Sequence, residues 1–131
     1  MAAVFRMAGS NSAGAAVKSG AAAFPIDLVH LSRQTMGDRA LEAELLALFE
    51  RQAARIVEEL GRPDSDQPGG WRADLAHKLK GSACAVGAHE VAAAAENYEY
   101  WVRAGILRAT DADRLAEAVT QVRAALRDLA G

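Results

Sequence analysis

Near the end of the chain, Leu115, Val119, Val122, Leu126 and Leu129 recur at intervals of four, three, four and three residues. That spacing follows the turn of an α-helix and places all five side chains on one stripe. It cannot be laid on a strand, whose faces alternate with period two. Thr110 and Asp113 form a candidate capping box ahead of it. The same kind of period governs most of what precedes. Between Gly37-Asp38, read as a stop and a cap, and the loop "GRPDSDQPGG", the apolar set is Leu41, Leu45, Leu48, Phe49, Ile56 and Leu60. Arg39, Glu42, Glu44, Arg51, Arg55, Glu58 and Glu59 occupy the other faces, so this stretch reads as a long amphipathic helix.

Trp71, Leu75, Leu79, Ser82 and Val86 mark the inward stripe of a third helix, which Gly87 bends or ends. Val91, Ala94, Ala95, Tyr98, Trp101 and Val102 give a fourth that stops near Gly105, with Tyr100 facing outward. A short helix in front is capped by Asp27 and carries Leu28 and Leu31 on one side. No stretch alternates long enough to read as a strand. Hydrophobic residues make up 51% of the chain but aromatics only 5%, and much of the apolar content is alanine, a mixture for closely packed helices. The expected fold is all-α: an antiparallel four-helix bundle with an additional short N-terminal helix. Residues 1–24, rich in Ala, Gly and Ser, read as a flexible tail outside a single domain spanning 25–131.

Charge narrows the function. Fifteen basic and 17 acidic residues are dispersed along the chain, and no cationic block could track a phosphate backbone, so nucleic acid is not expected as a partner. No apolar run approaches a membrane span or a secretory signal. Cys84 is the single cysteine, which excludes an internal disulfide and fits a reducing, cytoplasmic setting. His30, His77 and His89 lie in three segments without metal-ligand spacing, so no metal site is expected.

The stretch "AHKLKGSACAVG", residues 76–87, carries the chemistry. At about 100° per residue, His77 shares a face with Asp74, Lys80, Gly81, Cys84 and Ala88, opposite the apolar stripe. Lys80 at i+3 can reach a group attached to the imidazole. Gly81 at i+4 costs about 1 kcal/mol of helix propensity relative to alanine and leaves the ring unshielded. A nucleophile, one cation and a clear approach are what phosphoryl transfer asks of one partner, because such transfer rests on positioning and charge neutralisation. A cysteine hydrolase is a poor alternative, since Cys84 is two turns from His77, about 10 Å of rise.

"HKLKGSACAVG" resembles the H-x-L-K-G-S/A signature of histidine-containing phosphotransfer (HPt) domains of bacterial phosphorelays, and Gly87 matches a glycine often found after it. "IDLVHLSRQTMGDRALEAELLALF" resembles the first two helices of that family, and roughly residues 25–129 fit its bundle. The resemblance implies that His77 takes a phosphoryl group on its outward ring nitrogen from a receiver-domain aspartyl phosphate and passes it to another response regulator. Lys80 would steady the phosphoryl group and Gly81 would admit the receiver. Mg²⁺ would come from the receiver, with no cofactor bound by this chain. The implied partners are response regulator receiver domains and a hybrid or other sensor histidine kinase. Without a glycine-rich nucleotide loop, the chain would be a phosphocarrier rather than a kinase.

The docking surface expected from this reading comprises Asp74, Cys84 and Ala88, with an apolar margin from Leu28 or Leu31. Arg103 reads first as the i+4 ion-pair partner of Glu99 and secondarily as a phosphate contact. His30 and His89 read as structural or surface residues. A monomer is expected. Two other readings stay open: a helical docking module that never takes phosphate, and a phosphoacceptor domain belonging to a larger sensor kinase.

Overall fold

A computed structural model of the chain describes residues 24–64 and 67–130. The expected tail falls almost wholly on residues 1–23, outside the described residues. Five helices follow in order: α1 (Leu28–Thr35), α2 (Arg39–Leu60), α3 (Trp71–Val86), α4 (His89–Arg103) and α5 (Ala109–Ala130). No strand occurs among the described residues. Helices α2 to α5 close a ring in which each packs on two neighbours, and α1 lies against α2 and α3. This is the expected bundle with its short leading helix, and its core runs through Phe49, Ile56, Leu79, Val91, Tyr98, Leu115 and Val122.

Local chemistry sets the helix ends. The Asp27 carboxylate accepts from the His30 N–H, and that of Asp38 accepts from the Leu41 N–H, each satisfying a donor that its helix leaves free. Gly87 ends α3 at φ +81°, with the Ala88 N–H donating to the Ala83 carbonyl at 2.8 Å. A Cβ at Gly87 would stand 2.8 Å from the Asp27 carbonyl oxygen, and the Asp27 N–H donates to the Gly87 carbonyl at 2.8 Å. Glycine is therefore required twice here, for the left-handed turn and for the close crossing of the α1 entry. At the opposite end, the Arg72 guanidinium ties α2 to α3 by donating to the Leu60 and Arg62 carbonyls and the Asp64 carboxylate.

Several side chains depart from the expected stripes. In α2 the core takes Leu46 and Ala53, while Leu41 and Leu48 stand exposed. In α3 the buried row is Ala73, Ala76, Leu79, Ala83 and Val86, with Leu75 and Ser82 half-buried. Helix α5 begins at Ala109, so Thr110 lies inside it and forms no capping box. Asp111 instead accepts from Asn97 of α4 at 2.9 Å and from Arg108 at 2.8 and 2.9 Å. Leu129, expected on the inward stripe, is exposed.

Candidate functional site

The buried row of α3 fixes what its other side presents. With Ala76 and Leu79 inward, His77 stands at the rim facing α4, its side chain 68% exposed. Nδ1 of its ring lies 3.2 Å from Oε1 of Glu99, one helix away. A carboxylate opposite Nδ1 favours the tautomer that carries the proton there, and the Nε2 lone pair is then free. Nε2 makes no hydrogen bond among the described residues, on a side chain that is largely exposed.

Glu99 is itself held. Burial pushes its carboxyl upward, but hydrogen bonds from Arg103 and His77 outweigh that and keep it below the usual carboxylate range. Arg103 Nε donates to Glu99 Oε2 at 2.9 Å, and its Nη2 lies 3.4 Å from Asp74 Oδ1. A chain of polar contacts thus runs from Asp74 through Arg103 and Glu99 to His77. Lys80, one turn beyond His77, pairs through Nζ with Glu96 Oε2 at 3.2 Å. Both α3 groups therefore face a carboxylate of α4.

Gly81 is exposed and a Cβ there would meet nothing within 4 Å, so neither close packing nor an unusual backbone explains the glycine. Asp74 and Cys84 are exposed on the same face. Two expected docking residues are corrected. Ala88 and Leu31 are both 0% exposed, Ala88 because it lies in the tight turn from α3 to α4, Leu31 because α1 turns it into the core. Leu28 is exposed but lines a hollow with Arg39, Glu42, Ala43, Leu46 and Leu129, to which α3 contributes nothing.

Sequence reasoning missed three contributors. Glu99 and Glu96 were legible only as charges on α4, and their contacts with α3 depend on how the two helices face. Leu48 was assigned to the core by period, yet it is 54% exposed and lines a groove with Ser82 and Ala85 of α3. That groove, lined also by Arg51, Gln52 and Arg55, puts a mixed apolar and basic flank beside the face that carries His77. Among the described residues no group of three or more His, Cys, Asp or Glu side chains could hold a metal ion. No described helix is long and apolar enough to cross a membrane.

Two solved structures share the fold. A histidine-containing phosphotransfer protein from maize is 26% identical, with a TM-score of 0.54 over 81% of this chain and 78% of that one. A structure from rice described as that of a histidine-containing phosphotransfer protein is 23% identical, with a TM-score of 0.53 over 80% of this chain and 74% of that one. No curated protein sequence matches the chain. The model of the Hpt domain matches residues 44–130, which include His77, Lys80, Gly81, Glu96 and Glu99. The chain thus belongs to the Hpt domain family.

Proposed function

We propose that His77 is the phosphoacceptor of a phosphorelay, taking a phosphoryl group from the aspartyl phosphate of one receiver domain and giving it to another. The observation that carries this reading is the pairing of His77 Nδ1 with Glu99 while Nε2 is left free on an open helix face. In the forward step Nε2 attacks phosphorus in line, the N–P bond forms, and the bond to the aspartyl oxygen breaks with its electron pair returning to the carboxylate. The Nδ1 proton stays in place. Glu99 offsets the positive charge that the imidazole ring acquires, and Lys80 neutralises phosphoryl oxygens. Further neutralisation of the transferring group would come from Mg²⁺ on the docked receiver, none of it held by residues of this chain. Gly81 leaves room for the receiver's approach, and the α2–α3 groove, with Leu48 and Ala85 beside Arg51 and Arg55, gives it an edge to rest on. The reverse of the same step loads the next receiver, so the chain carries phosphate without ATP.

Phosphoryl transfer from a panel of labelled, phosphorylated receiver domains tests this. Label that is acid-labile, base-stable and lost in His77→Gln supports the phosphocarrier. Receivers that bind the folded protein yet transfer no label would favour a docking module that takes no phosphate.

A further inference from the structure

Lys80, one turn beyond His77 on α3, already holds an anion. Its ammonium is 3.2 Å from Glu96 Oε2, while the rest of the side chain is two-thirds covered along the α3–α4 seam. Glu96 and Glu99 sit one turn apart on α4 and face Lys80 and His77 respectively. The two carboxylates differ in how firmly they are held. Glu99 is 15% exposed and also bonded to Arg103, whereas Glu96 is 65% exposed and has no second partner among the described residues. One is a fixture of the site, and the other can release its cation into a solvated surface.

On the phosphocarrier reading above, we propose that Glu96 is a positioning residue acting through Lys80. It holds the ammonium while His77 is unphosphorylated and competes with the phosphoryl group for it afterwards. Phosphorylation then exchanges one ion pair for another and leaves the Glu96 carboxylate unpaired beside the new anion. The exchange opposes loading and favours unloading, which suits a carrier that must give its phosphate away.

The test uses phosphoramidate, a small donor that needs no receiver. Its P–N bond breaks as the Nε2–P bond forms, and its nitrogen, already protonated, departs as ammonia. Initial rates of phosphohistidine formation are followed by phosphorus NMR for the wild type, Glu96→Gln, Glu96→Asp, Lys80→Met and the Glu96→Gln/Lys80→Met double variant. Since exposed ion pairs are weak, Glu96→Gln should accelerate loading by about two- to five-fold. Glu96→Asp should return the rate toward the wild type, and Glu96→Gln should have no effect once Lys80 is methionine. An unchanged or slower rate in Glu96→Gln, or an acceleration that persists without Lys80, would overturn the proposal while leaving the phosphocarrier intact. A wild type that accepts no phosphoryl group on His77 would remove both.

Discussion

Glu99 and His77 are 22 residues apart in sequence, yet Oε1 of one lies 3.2 Å from Nδ1 of the other. On the proposed function this contact selects Nε2 as the nucleophile, because a carboxylate at Nδ1 pins the proton there. In Glu99→Ala the ring should divide between its two tautomers and turn more freely, visible as a change in the nitrogen NMR shifts of His77. Loss of such an orienting partner costs about 10–100-fold where the histidine ligates a metal, and by analogy phosphorylation should slow by about tenfold. Glu99→Gln keeps an acceptor oxygen and should fall between the two. A wild-type tautomer ratio and rate in Glu99→Ala would show that packing alone orients the ring.

Gly81 separates stability from function. Its Cβ position is empty and its backbone is helical, so alanine there removes the conformational freedom that glycine retains in the unfolded chain. Gly81→Ala should raise stability by about 0.5–1 kcal/mol, measured by denaturant unfolding. Gly81→Leu should fold as well but stand between His77 and an approaching receiver. It should slow receiver-dependent transfer far more than loading from phosphoramidate. Equal losses with both donors would mean that the side chain disturbs His77 rather than docking.

The caps of α1 and α2, the stop of α3 and the outward position of His77 were legible because they rest on local chemistry, whereas the expected capping box of α5 was not formed. As caps, Asp27, Asp38 and Gly87 act within a turn of themselves, although the contact between Asp27 and Gly87 is long-range, and the row of small and apolar residues in α3 leaves one direction for His77. What could not be read involves choices between neighbours. Helix α2 offers Leu41, Leu45, Leu46, Leu48 and Phe49 on more than one face, and only its packing against α3 and α5 selects Leu46 and Phe49 for the core. Alanines such as Ala76, Ala83 and Ala88 carry too little apolar area to announce burial, although each is 0% exposed. Glu96 and Glu99 gain their roles from α3, across 16 and 22 residues of chain, and no spacing rule within α4 encodes that.

Leu31 gives a test of the corrected docking surface. As a fully buried residue of α1 it should behave as core, and Leu31→Ala should cost about 2–5 kcal/mol of unfolding free energy. Transfer measured per folded molecule, at a temperature well below the melting point, should stay near the wild-type value. By contrast Leu48→Ala, on the exposed groove, should leave stability nearly unchanged and weaken receiver binding. A transfer defect in folded Leu31→Ala, with none in Leu48→Ala, would return the docking edge to α1.

Asp111 links the α4–α5 junction to pH. Its hydrogen bonds from Arg108, opposed by burial and assisted by Asn97, hold its carboxyl below the usual range. The unfolded chain protonates Asp111 near the ordinary value of about 3.9. Between that value and the lower folded one, the unfolded state binds more protons, so the contribution is fully present above about pH 5 and is lost as pH falls through the folded value. Glu99 and Asp27 are lowered as well and add to the same acid limb. Melting temperature should therefore be flat from pH 7 to about 5 and fall steeply below 4. Asp111→Asn keeps the shape and can still meet Asn97, but it cannot pair with Arg108. It should melt lower than the wild type at pH 7 and lose less on acidification, so that the two curves converge toward pH 3. Parallel curves would mean that Asp111 titrates alike in the folded and unfolded chains and that the Arg108 contact does not stabilise the start of α5.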